Sequence, residues 1–179
     1  MIRIDLNPGN YSKGTTVLEA RLRNILENAA TNLELSLRGQ MAPDWLENLI
    51  IDAHRKYGER VVVIIDEYDK PMLNTIDQPE IHRETRGELK GFYGVLKSCD
   101  RHLKLVFLTG VTKFSHVSVF SDLNHLSDLT LDSRYADICG ITQEELETGF
   151  APEIDAVLEK TGNHFSPVIH WRRLCKRDI

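Results

Sequence analysis

Asp66 and Glu67 are the residues whose types and spacing point most directly to chemistry. They follow residues 61–65, VVVII, an apolar run with no alternation. A continuous β-branched run of this length predicts a strand buried on both faces, the form taken by parallel strands in α/β sheets. Such sheets bind ligands outside the carboxyl ends of their strands, and the two acids stand at that end. An Asp there can hold hydrated Mg²⁺, a hard cation that prefers oxygen ligands and keeps several waters. A Glu beside it can orient or deprotonate an attacking water. Two acids capping a strand in an ordinary α/β domain is the other reading, and the run with its two acids does not separate them.

A second apolar strand is predicted at residues 104–111, KLVFLTGV, and it also ends in polar groups, Thr109, Thr112 and Lys113. A polar residue at the tip of the neighbouring strand can sense a phosphate or the attacking water. The alternative is a plain polar strand end. Asp69 and Lys70 follow the acidic pair, either as a solvated ion pair or as lining of the same pocket. Residues 9–14, GNYSKG, have the G-x-x-x-x-G spacing of a phosphate-binding loop, follow a predicted strand and precede a predicted helix. A working loop of that kind needs Lys and then Ser or Thr directly after the second glycine. Here Thr15 and Thr16 follow, and Lys13 precedes the glycine, so a plain strand-to-helix connection is expected.

The elements that must position these groups are legible. Residues 1–6 alternate and predict a short strand. Val17, Leu18, Leu22, Ile25, Leu26, Ala29, Leu33 and Leu37 recur at helical spacing and predict a helix over 15–37. Trp45, Leu46, Leu49, Ile50, Ala53 and Tyr57 predict a second over 44–57, with Trp45 as core packing and Gly58 as its stop. Pro71 predicts an extended exit from the acidic strand. A helix is expected over 80–98, with Leu89, Phe92, Tyr93 and Leu96 inward and Arg83, Arg86, Lys90 and Lys97 on a solvated face. A third short strand is predicted at 129–131. Thr142 with Glu145 fits a capping box, and a last short helix spans 152–160.

Composition excludes several classes. The 179 residues carry net charge −5, so a dominant nucleic-acid footprint is not expected. No apolar run approaches the roughly 18 residues of a membrane span. The start MIRIDLNPGN has no apolar signal core, and Cys99, Cys139 and Cys175 form no C-x-x-C pair. They read as free thiols in a reducing compartment, and a cytoplasmic protein without a zinc site is expected.

The segments VVVIIDEYDKP, GFYGVLKS, LVFLTGVTKFS, VFSDLNHLSDLTL and YADICGITQEEL follow one another in order between residues 61 and 146. This set resembles the AAA-ATPase-like family of bacteria and archaea, in which a P-loop ATPase module is often joined to a restriction-endonuclease-like nuclease domain. The resemblance spans residues 1–162. It implies an α/β, P-loop NTPase-like three-layer sandwich with a mainly parallel sheet. It makes Asp66 and Glu67 the Walker B pair, with Asp66 the residue for Mg²⁺ and cofactor and Glu67 the catalytic base. Thr109 becomes a sensor-like position that places the water, and Lys113 a cofactor-side residue in the polar patch after that strand. ATP and Mg²⁺ are the implied cofactors. Nucleic acid enters only through the family context.

Residues 1–6 match the family's second strand, so the expected sheet lacks the first strand and the Walker A loop. The strand at 104–111 would then expose an apolar edge, a pairing hazard. The expected organisation is a partial ATPase-like domain over 1–162 and a divergent basic tail over 163–179. The implied activity is ATP hydrolysis, impaired without Walker A. One alternative is a non-catalytic interaction module, docking through the sheet edge onto a second copy or a partner chain that completes the sheet. Another is a metal-dependent nuclease using Asp66 and Glu67. No further acid and lysine stand at the spacing that such a nuclease strand needs.

Overall fold

The computed structural model describes residues 1–111, 126–129, 132–135 and 141–161. The chain divides into two compact units, Met1–Leu126 and Ser127–Ile179. The first holds a three-stranded parallel sheet of β1 (Ile2–Asp5), β2 (Val61–Asp66) and β3 (Leu103–Leu108) in the order β1-β2-β3. The α/β class and the parallel sheet agree with the sequence.

Between β1 and β2 run α1 (Thr15–Asn32) and α2 (Ala42–Tyr57). Between β2 and β3 run the single turn α3 (Lys70–Leu73) and the long α4 (Pro79–Ser98). Parallel crossovers are almost always right-handed, and both step the same way across the sheet. Their helices therefore fall on one face. Burial agrees: Ile2, Ile4, Val63 and Ile65 are fully buried in one apolar cluster with Leu22, Leu26, Leu46, Leu49, Leu89 and Phe92. Trp45 joins this core at 4% exposure, as expected. On the other face Arg3 and Leu105 are exposed, and Asp5, Val62, Ile64 and Phe107 are half-buried.

Three local expectations are corrected. The helix predicted to residue 37 stops at Asn32, because Glu34 takes a left-handed φ of 48°. The last-turn carbonyls of Ala29, Ala30 and Thr31 accept from the N–H groups of Leu33, Leu35 and Glu34, and just past the helix end Lys56 Nζ donates to the carbonyls of Leu33 and Glu34 and Tyr57 Oη to Leu33. Leu33 and Leu37 still pack on the core, but from outside the helix. Pro71 does not force an extended exit. It sits in the first turn of α3, where its missing N–H costs nothing and its fixed φ suits the helix. β3 is shorter than predicted and ends at Leu108, so Thr109 lies just beyond the strand.

In the second unit, α5 (Gln143–Gly149) and α6 (Ala151–Thr161) follow a 3-10 turn at Ser133–Tyr135. The capping box at Thr142 and Glu145 forms in both directions: the Glu145 N–H donates to Thr142 Oγ1 at 3.2 Å, and the Thr142 N–H donates to Glu145 Oε2 at 2.8 Å. No helix among the described residues is long and apolar enough to cross a membrane. The strand expected at 129–131 lies mostly outside the described residues, and the tail over 163–179 lies wholly outside them.

Candidate functional site

The carboxyl ends of the strands meet as the sequence requires. Asp66 ends β2 in register with Asp5 of β1. The Leu6 N–H donates to the Asp66 carbonyl at 3.1 Å, and the Thr109 N–H donates to the Ile65 carbonyl at 2.9 Å. Asp66 is thereby held by backbone on both sides. The Thr109 hydroxyl donates to Asp66 Oδ1 at 2.6 Å, and the Glu67 N–H donates to the same oxygen at 3.1 Å. Oδ2 has a looser neighbour, Arg3 Nη2 at 3.9 Å, with both side chains well exposed. An exposed pair at that distance is worth little.

Glu67 takes a left-handed φ of 54°. A non-glycine residue persists there only where its surroundings impose it. The Tyr68 N–H donates to the Thr109 carbonyl at 3.0 Å, and the Lys70 N–H donates to the Glu67 carbonyl at 3.0 Å. The chain is thus pinned on both sides of Glu67.

Two buried phenols hold the strand exits from below. Tyr11 Oη donates to the Leu6 carbonyl at 2.7 Å, and Tyr93 Oη donates to the Tyr68 carbonyl at 3.0 Å. Burial pushes the Tyr11 phenol up to about 12 and raises Tyr93 well above its ordinary value, so both remain donors. Asp69 is only 1% exposed and accepts from the Val111 N–H at 3.3 Å. The solvated Asp69–Lys70 pair is therefore corrected: burial removes Asp69 from water and turns it towards the segment after β3. Gly110 passes so close that a Cβ there would stand 2.6 Å from the Tyr68 ring and 2.7 Å from Asp69 Oδ1.

Of the residues singled out from sequence, the fold brings Asp66, Glu67 and Thr109 together. Lys113 and Thr112 lie outside the described residues. Sequence reasoning missed Asp5, Arg3 and Arg21, whose Nη2 donates to the Asp5 carbonyl at 3.0 Å. The alternation of residues 1–6 held that signal, since it sets Arg3 and Asp5 on one face together. It also missed the burial of Asp69, which carries no local pattern.

The donor set fits Mg²⁺ held through one carboxylate and water. Asp66 Oδ2 is the hard oxygen left for it, since Oδ1 already accepts two bonds, and Mg²⁺ keeps most of its waters in such sites. Among the described residues no group of three or more His, Cys, Asp or Glu side chains could hold a metal ion. The loop at 9–14 does not fit a triphosphate. The Gly9 N–H donates to the Asn7 carbonyl just before the loop, the Gly14 N–H donates to the Tyr11 carbonyl within it, and the Tyr11 ring packs against Gly9.

A family model described as Predicted AAA-ATPase matches residues 1–120. The chain is 51% identical over 106 residues to a protein of Azotobacter chroococcum mcd 1 named "Uncharacterized protein in vnfD 5'region". That match covers 59% of this chain and 20% of the relative, so the chain spans about a fifth of that protein's length. No solved structure matches.

Proposed function

We propose, from the premise that this chain belongs to the Predicted AAA-ATPase family, that the tips of β2 and β3 form the metal- and water-handling half of a nucleoside-triphosphate hydrolase site. The observation that carries this reading is the Thr109–Asp66 hydrogen bond beside a left-handed Glu67. Asp66 Oδ2 is the anchor for hydrated Mg²⁺, which when bound would neutralise phosphate charge. Thr109 commits its proton to Asp66, so its oxygen lone pairs are what it offers to a water. Glu67, directly after Asp66 in a left-handed turn, is the base that takes the water's proton. Phosphoryl transfer depends mostly on positioning and charge stabilisation, and these residues supply the water side of that work.

The phosphate side is not supplied by the loop at 9–14, and the sequence holds no G-x-x-x-x-G-K-[ST]. This reading therefore takes the phosphate-binding groups from other polypeptide, and the 179-residue chain alone hydrolyses ATP little or not at all. Calorimetric titration with ATP, with and without Mg²⁺, tests it. Mg²⁺-dependent binding that Asp66→Ala removes supports the half-site. Binding indifferent to Asp66→Ala refutes it. Turnover by the pure chain that Glu67→Gln abolishes would refute the need for an outside phosphate cradle.

A second reading, an interaction module, has its own support. The structure gives β3 hydrogen bonds to β2 on one side, and Leu105 on it is 53% exposed. Parallel sheets are as a rule covered on both faces. A strand with its helix from a second copy or a partner chain would cover this edge and face. Concentration-dependent dimerisation in sedimentation favours this reading; a monomer with bound nucleotide opposes it.

A further inference from the structure

At the opposite end of the sheet from Asp66, two histidines meet. His54 stands near the end of α2, and His102 closes the 3-10 turn Asp100–His102 that leads into β3. Their Nδ1 atoms are 2.8 Å apart, with the rings edge-on at 75°. Arg101 Nε donates to His102 Nε2 at 2.9 Å. The His102 backbone is fixed as well, since its N–H donates to the Cys99 carbonyl at 2.7 Å.

These contacts admit one arrangement of protons. A guanidinium only donates, so His102 Nε2 is an acceptor and the ring's proton sits on Nδ1. That N–H then donates to His54 Nδ1, which must be the bare nitrogen of its ring, leaving the His54 proton on Nε2. Both rings are neutral in this state. A proton added at His54 Nδ1 sets N–H against N–H. A proton added at His102 Nε2 sets an imidazolium against the Arg101 guanidinium. Either addition breaks a bond.

The surroundings make the same demand. The charges acting on His102 are Arg101 from its own turn and His54 and Arg55 from α2. With burial as the largest cause, they hold His102 below its ordinary value. Asp52, the nearby carboxylate on α2, is committed to Arg38 and Arg55. The Cys99 thiol at the end of α4 is pushed up to about 11 by burial, with Glu47 adding to the rise, and so stays neutral.

We infer that His54 and His102 form a proton-operated latch tying the end of α2 to the turn that enters β3, closed while His54 Nδ1 is a bare acceptor and opened when that nitrogen takes a proton. This inference is independent of the nucleotide reading, because it concerns the amino end of β3 and not its tip. Its consequence is that mildly acidic conditions loosen the entry to the strand that carries Thr109 beyond its far end.

Nitrogen NMR of the histidine side chains in the 179-residue chain, with amide hydrogen exchange, tests it. At neutral pH, His102 is expected to carry its proton on Nδ1. Protection factors of the His102 and Leu103 amides, corrected for intrinsic exchange, should fall about tenfold between about pH 7.5 and about pH 5.5. His54→Asn places an amide oxygen at the Nδ1 position, a non-titrating acceptor, and should hold that protection at both pH values. A proton on His102 Nε2 at neutral pH overturns the latch. So does an equal acid loss of protection in His54→Asn and the parent. Should His54→Asn fail to fold, the tautomer in the parent decides by itself.

Discussion

The Thr109 hydroxyl donates to Asp66 Oδ1 across 2.6 Å, joining residues 43 positions apart at the tips of adjacent strands. The bond follows from register. β2 and β3 run parallel with Ile65 beside Leu108, so the next residues on each strand end face one another. A hydroxyl and a carboxylate at those positions must meet.

Thr109→Val keeps the shape and removes the donor. A hydrogen bond to a charged group contributes about 1 to 2 kcal/mol at a partly exposed site. Thr109→Val should lower stability by that amount in urea unfolding, while Thr109→Ser stays near the parent. Equal losses in both variants would show that the threonine methyl, and not the hydroxyl, matters.

Glu67 should respond oppositely to two apolar substitutions. Its φ of 54° costs an ordinary residue about 1 kcal/mol or more. Glycine pays no such cost but loses more entropy on folding. Glu67→Gly is therefore expected to be neutral or stabilising by up to about 1 kcal/mol, and Glu67→Val destabilising. Thermal melts of the pair check this, and a destabilised Gly variant would count against strain at this turn.

Gly110→Ala and Gly87→Ala form a second contrast. A Cβ at Gly110 would meet the Tyr68 ring and Asp69 Oδ1 at 2.6 and 2.7 Å, whereas at Gly87, within α4, it meets nothing within 4 Å. Gly110→Ala should destabilise by about 1 to 3 kcal/mol through overpacking. Gly87→Ala should stabilise by up to about 1 kcal/mol through helix propensity. Chemical denaturation of both reads the difference in sign.

The buried phenols predict an alkaline loss of stability. Tyr11 is raised to about 12 and Tyr93 is raised further than ordinary tyrosine, against an unfolded value of about 10. The folded state therefore holds protons that the unfolded state releases. The contribution is complete below about pH 10 and is lost as pH rises through the folded values. Ultraviolet titration should show late phenolate formation, with Tyr11→Phe removing one late step. Ionisation of every tyrosine near pH 10 in folded protein would contradict the clamps at Leu6 and Tyr68.

Much of this was readable in the order of residues. The unbroken run at 61–65 gave a parallel strand as read, but the expected burial on both faces is corrected: Val61, Val63 and Ile65 are buried under the helices, whereas Val62 and Ile64 are half-buried on the other face. Asp66 and Glu67 stood at its carboxyl end by adjacency alone. Gly58 stopped α2 as expected, in a left-handed cap at φ 70°, and Thr142 with Glu145 formed the capping box, because both are set by neighbours within one turn.

What sequence did not decide depends on partners distant in the chain. The early end of α1 rests on Lys56 and Tyr57 reaching back to Leu33 from α2. The burial of Asp69 depends on Gly110 and Val111, brought beside it by strand pairing. The His54–His102 contact spans 48 positions and has no local trace. The sequence alone determined that two carboxylates and a hydroxyl stand at the ends of two strands, since propensity and burial pattern are local. Tertiary structure decided that Asp66 Oδ1 accepts from Thr109 and Glu67 while Oδ2 has only the looser Arg3 beside it, and that Glu67 stands in a left-handed turn, since register and crossover geometry arise only when distant segments pack.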